Sequence, residues 1–521
     1  LSRLNIGDTF DWRSLLGEDT WSQVTAEKRA QTVGNQLARH FSQNRNPVIE
    51  FDHTNRSPRY SVWRKIREVA KGAKPMTIEN PWHSRPIDVH RWSEHKEVGP
   101  LVARLWDDHF SDLEGTASRS GPKPKTTYQN QFRALLLDLY VAWKTDPELS
   151  IGVPMSSNGW NANSRYNALN LSKKMIPIID RAHAVGLVDL ARGSFSGPYG
   201  LGNRNTRIRA ADPLRELFRE VHLPLASIGR HPDQECIILK DGDKEVEYED
   251  TDETVAMRDR LRRYNALLTR TFIDIPCLER PVIEHREEAG PDEGQPTRVL
   301  VSPAQKFVRR IFSRGSWSLN GRFYGPWWQQ LGSDWRDKIF INDVPTVEVD
   351  YQALHLHLLA VRAGEVLTED PYLFPQNTVP GTPEGLQRKI IKTLLLKAIN
   401  AGTKKAAFNS FRQDWPTGHM ARNLTNVELS RVLELVLEKH PFLRGKLGND
   451  YGVGLMYVDS LITDHVLTDA TRFNLPVLGV HDSFIVDYRR VRFLKTLMWA
   501  AAEHVVGVKL PVRTSHPEAE D

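Results

Sequence analysis

The sequence has almost no cysteine. Among its 521 residues only Cys236 and Cys277 carry a thiol, and they lie far apart in no Cys-x-x-Cys arrangement. A disulfide framework or a thiolate zinc site would need more cysteines at closer spacing. We therefore exclude a disulfide-stabilised scaffold and expect a reducing compartment.

Long hydrophobic runs are also missing. No apolar segment approaches the roughly 20 residues that a membrane-spanning helix needs, and the first residues carry no signal-peptide core. The excess of one charge is small, because a net charge of +5 is spread over 521 residues. This charge permits a polyanionic partner but does not by itself indicate one. We expect a cytoplasmic protein without a membrane partner.

The composition is that of a folded protein. Hydrophobic residues make up 40% of the chain and charged residues 26%, which is a globular balance. At roughly 100–200 residues per domain, the length predicts about three domains. Helical patterns mixed with Trp, His and Arg dominate residues 1–125, as in the run that begins at Ser61, and this region carries no motif with chemical meaning.

Helices and a basic hairpin are predicted over residues 126–228. Phe132, Leu139 and Trp143 lie at helical spacing in a helix that stops near Asp146, and a second helix extends from Ser172 to Gly186. Strands over 187–190 and 206–210 follow, separated by a Gly- and Arg-containing loop. This order resembles a winged helix, a common DNA-binding module, although the same fold also serves only for packing. The predicted phosphate contacts are Lys173, Lys174, Arg192, Arg204, Arg207 and Arg209.

The next region, residues 229–300, is predicted to be a connector. A hairpin is predicted to turn at Asp241-Gly242, and a helix is predicted from Glu253 to about Phe272. The charged segment from Glu284 to Arg298 is rich in Gly and Pro, so we expect an exposed loop there.

Two carboxylates stand at the ends of predicted strands. The segment 338–350 predicts a strand pair turning at Asn342-Asp343, with Val347 and Val349 on the buried face and Asp350 at the end. A helix is expected to follow directly. Two apolar, β-branched runs flank residues 481–483, which places Asp482 at a hairpin turn. A pair of this kind can clamp two Mg²⁺ ions, although a single strand-end Asp is far more often a cap or surface residue.

A helix with two cations lies between these segments. We expect Thr382 to cap it, Pro383 to occupy its first turn, and the helix to close before Gly402. Arg388 and Lys392 are four residues apart and so project from one face. They can hold a triphosphate, whereas the plain interpretation of such a pair is a solvated helix face.

These segments together resemble the family A DNA polymerases and the phage-type single-subunit RNA polymerases. The run D-Y-Q-A-L-H-L-H-L-L-A from Asp350 is similar to their motif A, R-K-I-I-K-T-L-L-L-K-A-I-N from Arg388 to motif B, and V-H-D-S-F-I-V from Val480 to motif C. The run S-L-N-G-R-F-Y from Ser318 is similar to their template-contacting Gly-Arg element. The order along the chain agrees, and the resemblance covers about residues 298–510.

The resemblance implies roles for individual residues. Asp350 and Asp482 would be the catalytic, metal-binding carboxylates. The implied nucleotide-binding residues are Arg388, Lys392, His355, Asn400 and Tyr351, and the implied template or primer contacts are Arg322 and His481.

Three departures from the family pattern concern the sugar. His355 stands where the DNA polymerases carry a Glu that blocks the ribose 2′-hydroxyl, Asn400 stands where an aromatic residue is usual, and Ser483 matches the RNA polymerases. We favour DNA synthesis, because an imidazole can crowd a 2′-hydroxyl. The alternatives are an RNA polymerase or primase, and a non-catalytic DNA-binding replication protein that keeps the scaffold.

The predicted fold class is α/β, or α+β. A right-hand palm and fingers module is expected over 301–521, after a connector and thumb-like helix at 229–300, a winged-helix-like DNA-binding domain at 126–228 and a mostly helical region at 1–125. The implied cofactor is two Mg²⁺ ions, with Mn²⁺ as a substitute. The implied partners are a DNA template, a primer or nascent strand and nucleoside triphosphates, which would associate the protein with the nucleoid.

Overall fold

The fold is mixed α/β. A computed structural model describes residues 83–114, 126–194, 204–290, 293–294 and 296–515, together with three strands within residues 1–65. Twelve α-helices and several small sheets lie in these segments. None of these helices combines the length and the apolarity that crossing a membrane requires.

The α-helices, in chain order, are α1 (Val98–His109), α2 (Tyr128–Thr145), α3 (Met175–Ala184), α4 (Asp212–Glu220), α5 (Asp252–Arg270), α6 (Ser333–Arg336), α7 (Leu354–Arg362), α8 (Glu384–Asn400), α9 (Lys404–Gln413), α10 (Asn426–Lys439), α11 (Gly452–Arg472) and α12 (Val491–Val506).

The strands are β1 (Thr9–Phe10), β2 (Ile49–Arg56), β3 (Arg59–Lys65), β4 (Ser84–Pro86), β5 (Arg91–Trp92), β6 (Ser150–Val153), β7 (Val188–Ala191), β8 (Thr206–Ala210), β9 (Gly229–Arg230), β10 (Ile237–Asp241), β11 (Lys244–Glu245), β12 (Ile273–Asp274), β13 (Val282–Arg286), β14 (Pro296–Leu300), β15 (Arg309–Ser313), β16 (Ser316–Tyr324), β17 (Phe340–Ile341), β18 (Val344–Tyr351), β19 (Leu478–Val480), β20 (Ser483–Asp487) and β21 (Val512–Thr514).

The chain forms two compact units, and both are discontinuous in sequence. Unit 1 comprises Leu1–Ile87, Glu148–Met155 and Ala182–Arg215, and unit 2 comprises Asp88–Pro147, Ser156–Arg181 and Glu216–Asp521. The predicted domain boundaries at 125, 228 and 300 remain predictions.

Unit 1 contains a four-stranded sheet in the order β4-β6-β8-β7. Its β7 and β8 pair antiparallel, which confirms the predicted hairpin, with the first strand one residue later than expected. A three-stranded sheet has the order β1-β3-β2. The helix pattern expected from Ser61 is wrong for Ser61 to Lys65, which lie in β3, because aromatic and β-branched residues there favour a strand. The rest of that pattern lies outside the described residues.

A six-stranded sheet lies at the centre of unit 2. Its strands follow the order β12-β17-β18-β20-β19, and β21 pairs with β18. The turn between β17 and β18 falls at Asn342 and Asp343, both with positive φ, as the sequence predicted. Val347 and Val349 are buried, and Asp350 alternates with them, so it lies on the opposite and less buried face.

A second sheet of unit 2, ordered β11-β10-β15-β16, packs through β16 against α11. The strand approaches this helix closely at Gly321, where φ is +76° and a Cβ would lie 2.8 Å from Ser460 Oγ. A glycine is needed there, because any side chain would displace its neighbours. This close approach brings the next residue, Arg322, to the helix.

The segment from Glu284 to Arg298 differs from the exposed loop that the sequence predicted. Its two ends belong to β13 and β14, which pair antiparallel. Ile283 and Val299 are buried, so apolar residues at the base hold the hairpin although its tip is charged. At the tip, Glu293 accepts hydrogen bonds from Thr417 and Arg422.

Candidate active site

One of the two predicted carboxylates lies on a strand, and the other lies in the turn that leads into the neighbouring strand. Strand β18 pairs antiparallel with β20 so that Asp350 is opposite Ser483, and Asp482 precedes Ser483 in the β19–β20 turn. The backbone amide of Tyr351 donates to the carbonyl of Asp482 at 3.2 Å. The turn has two residues, and its first, His481, has a φ of 58°. A connection this short fixes the position of Asp482 relative to Asp350.

The carboxylates repel each other. Burial raises the pKa of Asp350, and the charge of Asp482 raises it further. Arg513 and Lys392 act in the opposite direction but do not cancel the shift. Two like charges held together without a full counter-charge are costly, and such a place is suited to binding a cation.

Glu348 supports this strand pair. It lies two residues before Asp350, so both side chains are on the same face of β18. Its two oxygens are engaged: Oε2 accepts from Arg336 Nε at 2.8 Å, and Oε1 accepts from Ser483 Oγ at 2.5 Å. Glu348 therefore ties β18 to β20 beside the two aspartates.

The helix that carries the predicted cations is α8. Lys392 is close enough to Asp350 to lower its pKa, and its Nζ lies 6.0 Å from the ring centre of Tyr372. Arg388 forms an ion pair with Asp370 at 2.6 Å and lies over the same ring. The structure therefore brings Lys392 to the side of Asp350, and it brings Arg388 to the Tyr372 ring that Lys392 also approaches.

The start of α8 differs from the prediction. Thr382 does not cap the helix, because its hydroxyl donates to the carbonyl of Val379 at 2.6 Å. The N-cap position belongs to Pro383, with no side-chain hydrogen bond. Instead, Gln387 Oε1 accepts from the backbone amide of Val379 and holds the preceding turn to the helix.

A third carboxylate, Asp459, was missed by the sequence analysis. It lies on α11, is 1% exposed and accepts a hydrogen bond from Arg322 Nε at 2.5 Å. Burial raises its pKa to about 6; Arg322 opposes the shift, and the charge of Asp482 adds to it. The available signal was its position on the apolar stripe Leu455, Asp459, Ile462 and Val466, where a charged residue is unexpected.

Arg322 and His481 lie beside this carboxylate. Besides Asp459, Arg322 donates to His355 Nε2 at 3.3 Å, so much of its guanidinium is engaged within the protein. The carbonyl of His481 accepts from Thr463 Oγ1 at 3.3 Å, and its ring packs edge-on to Tyr324. Their contact with a template or primer stays a prediction.

Two of the implied nucleotide-binding residues, Tyr351 and Asn400, do not lie beside the carboxylate pair. Tyr351 alternates with Asp350 along β18 and is 2% exposed, with its hydroxyl donated to the carbonyl of Met498 at 2.5 Å. It is a core residue. Asn400 donates to the carbonyl of Leu396, and a Cβ on Gly452 would collide with its side chain. Eight residues beyond Lys392, Asn400 lies roughly 12 Å further along the helix.

Arg513 is the other residue that the sequence analysis missed. It lies on β21 directly opposite Asp350 and lowers the pKa of that carboxyl. The short strand Val512–Thr514 gives no periodic signal, and its partners on β18 are distant in sequence. Only the fold shows that this cation belongs to the site.

The predicted DNA contacts of the winged-helix-like region differ in their exposure to solvent. Arg207 is 8% exposed and donates to Ser84 Oγ, so it is not a surface cation. Arg209 forms ion pairs with Asp189 at 3.0 Å and with Glu148. Both guanidiniums are thus engaged within unit 1, which makes them poorer phosphate contacts than the sequence predicted. The exposed candidates are Lys173, Arg192 and Arg204, while Lys174 lies over the Tyr128 ring at 4.6 Å.

The donor set of the site fits magnesium. In the described part of the chain, no three His, Cys, Asp or Glu side chains converge as a metal cage. Mg²⁺ is usually held by one or two carboxylates together with substrate phosphates and water, rather than by an all-protein cage. Asp350 and Asp482 supply the carboxylates that such a site requires.

Among known proteins, no protein-family model matches the chain, and no curated protein matches it either.

Proposed function

We propose that the chain is a template-directed nucleotidyltransferase that works with two Mg²⁺ ions, for which Mn²⁺ can substitute. The observation that carries this proposal is the pair Asp350 and Asp482, two like charges held at the end of β18 and in the turn before the neighbouring β20, with Lys392 of α8 close enough to act on Asp350. A scaffold without a ligand gains nothing from two carboxylates that repel each other. A site for divalent ions and a triphosphate requires both carboxylates.

The site residues divide the work. Asp350 and Asp482 would hold the divalent ions, which when bound would stabilise the negative charge that develops during phosphate transfer. Lys392 and Arg388 bind the oxygens of the triphosphate, and Arg388 exchanges Asp370 for a phosphate. Transfer then depends on the position of the nucleotide rather than on an additional protein nucleophile.

The arrangement of elements supports the finer proposal of a right-hand polymerase. In this proposal the six-stranded sheet is the palm, α8 to α10 form the fingers, and the chain is a divergent relative of the family A DNA polymerases and phage-type RNA polymerases. The motif residues Asp350, Arg388, Lys392 and Asp482 support it. DNA is the proposed product, and an RNA polymerase or primase is the alternative.

The winged-helix-like region is proposed to bind duplex DNA. The order of α2, β6, α3, β7 and β8 along the chain supports this proposal, as do the exposed cations Lys173, Arg192 and Arg204. A protein of this kind would associate with the nucleoid.

An extension assay tests the proposed activity. Purified protein is incubated with Mg²⁺ and labelled primed or unprimed templates, and is offered either dNTPs or rNTPs. We expect template-dependent extension of the primed template with dNTPs. The Asp350→Asn variant, purified in parallel, controls for contaminating polymerase. Absence of extension under every combination would contradict the proposal.

A further inference from the structure

A cavity of about 330 Å³ opens between α7, α12 and the segment that leads into β21. Most of its lining is apolar and includes Val361, Leu367, Trp499 and Leu510. Cavities that bind small molecules have volumes of about 300–1,000 Å³ and an apolar lining with a few polar groups. The volume and the lining of this cavity therefore fit a small organic molecule.

One buried polar side chain borders the cavity without a partner. His357, on α7, is 7% exposed, and its ring forms no hydrogen bond with any residue that the structure describes. Leaving a buried polar group without a hydrogen bond costs free energy, so such groups are uncommon in folded proteins. Because the ring lines the cavity, a molecule bound there can supply the missing hydrogen bond.

The His357 ring is suited to donate that hydrogen bond. Burial lowers the pKa of His357, so the ring is neutral at pH 7. A neutral imidazole has one N–H donor and one acceptor nitrogen. Its N–H can therefore donate to an oxygen of the ligand, and the bond is stronger when that oxygen carries a negative charge.

The charge at the cavity favours an anionic ligand. Lys509 lines the cavity, is exposed, and forms no ion pair within the described residues. Glu365 also lines the cavity and is exposed, but its side chain is shorter than the flexible four-carbon stem of Lys509. A carboxylate on the ligand can bind both Lys509 and His357, whereas an ammonium group would be repelled by Lys509.

We infer that this cavity binds a small carboxylic acid with an apolar body. The body lies against Val361, Trp499 and Leu510, and the carboxylate accepts hydrogen bonds from His357 and Lys509. This is a second site of the chain, and it does not depend on the proposed nucleotidyl transfer.

The cavity shares two segments with the carboxylate pair. Helix α7 begins four residues after Asp350, and Pro511, which lines the cavity, is two residues before Arg513, the residue opposite Asp350. The carbonyl of Pro511 accepts from the backbone amide of Gln352 at 2.9 Å. A bound acid therefore contacts both of the segments that adjoin Asp350.

The first test compares four compounds with the same apolar body. Binding of 3-phenylpropionate, phenylalanine, 3-phenylpropylamine and 3-phenylpropanol to the full chain is measured by isothermal titration calorimetry at neutral pH. We expect 3-phenylpropionate to bind most tightly, with a Kd on the order of 0.1 mM for a ligand of this size. Equal or tighter binding of any of the other three compounds would overturn the inference. No binding of 3-phenylpropionate at roughly ten times that concentration would also overturn it.

The second test uses variants to locate the binding. His357→Phe keeps a ring of similar size and removes the donor, and Lys509→Ala removes the charge. We expect the Kd of 3-phenylpropionate to rise roughly tenfold in His357→Phe and roughly threefold in Lys509→Ala. The control is Lys405→Ala, an exposed lysine of α9 that does not line the cavity, which should bind like wild type.

Folding of each variant is checked by circular dichroism. Because Lys509 is exposed, its variant tests the inference even if His357→Phe does not fold. Wild-type affinity for 3-phenylpropionate in every site variant that folds would show that the acid binds elsewhere, which would overturn the inference.

Discussion

Charged residues on strands have different partners in the two units. In unit 1, Arg209 lies between Asp189 and Glu148, and Arg207 is buried against Ser84. In unit 2, Asp350 faces a second carboxylate, and its pKa is raised. Arg209 is thus paired with two carboxylates of its own unit, whereas Asp350 lies beside a like charge.

This difference separates structural charge from functional charge. An arginine that is paired with carboxylates of its own unit has little charge left to attract a phosphate. Two aspartates held near each other, at a strand end and in a turn, are expected to destabilise the metal-free protein, and a bound cation is expected to restore stability. Charge compensation, rather than the presence of charge, therefore distinguishes the candidate active site from the small sheet of unit 1.

Removing either carboxylate should have the largest effect. In Asp350→Asn or Asp482→Asn an amide of the same shape offers only a neutral oxygen to the divalent ion. We expect primer extension to fall by roughly three orders of magnitude or more in a single-turnover assay. The matched control is Asp343→Asn, in the turn before β18, which should keep wild-type activity. Near-normal turnover by either site variant would remove the catalytic assignment.

Removing a cation from α8 should have the next largest effect. Lys392→Ala and Arg388→Ala each delete a charge from the proposed triphosphate site. We expect each to cost about 2–4 kcal/mol of transition-state stabilisation, or roughly 30- to 1,000-fold in kcat/KM. Lys397→Ala is the control, because Lys397 lies on the same helix and pairs with Asp414. Wild-type kinetics in both site variants would show that α8 does not hold the triphosphate.

Removing the repulsion should stabilise the metal-free protein. The pKa of Asp350 is higher in the folded protein than the value of about 4 expected in the unfolded chain. Protonation of this carboxyl therefore stabilises the fold at pH values below about 4, and this stabilisation is lost as the pH rises through the folded-state pKa. The Asp482→Asn variant lacks the charge of Asp482 and so lacks part of the increase in the pKa of Asp350. We expect the variant to be more stable than wild type at pH 7, and the difference in the free energy of unfolding to be smaller at pH 4.

Urea unfolding in EDTA at both pH values measures this difference. Added Mg²⁺ should stabilise the wild type more than the variant, since only the wild type has both carboxylates. Equal stability at pH 7, or an equal response to Mg²⁺, would show that the two aspartates do not repel each other.

The smallest effects are expected in DNA binding by the winged-helix-like region. Arg204→Ala and Lys173→Ala should each reduce the salt dependence of duplex binding by about one phosphate contact, measured by fluorescence anisotropy of the full chain. Arg209→Ala should leave the salt dependence unchanged, because its charge is already paired. If the salt dependence changed more in Arg209→Ala than in Arg204→Ala, a paired arginine of unit 1 would bind phosphate, and the distinction between paired and unpaired charge would be wrong.

Local patterns predicted much of the site. The alternation of Val347 and Val349 with Asp350 identified the buried face of β18, and the turn at Asn342 and Asp343 identified where the strand begins. The strand ends at Tyr351, one residue later than expected. These features depend on neighbours in sequence, where periodicity and turn preferences apply. The β19–β20 hairpin around Asp482 was predictable for the same reason.

Contacts between distant segments were not predictable. Asp459 meets Arg322 across 137 residues, and Arg513 reaches Asp350 only through the pairing of β21 with β18. The burial of Arg207 likewise depends on β4 and β6 on one side of its strand and β7 on the other. No pattern in a single sequence specifies which strands become neighbours. The charged residues are visible in the sequence, but their partners in the fold could not be predicted from it.

The most direct test is to count the divalent ions that the carboxylate pair holds. Free Mn²⁺ is measured by electron paramagnetic resonance while the protein is titrated in the presence of a primed template and a non-hydrolysable nucleoside triphosphate. We predict about two bound ions per chain in the wild type, and none at the same affinity in the Asp350→Asn/Asp482→Asn double variant. Equal numbers of tightly bound ions in the two proteins would contradict the assignment of Asp350 and Asp482 as the metal-binding carboxylates.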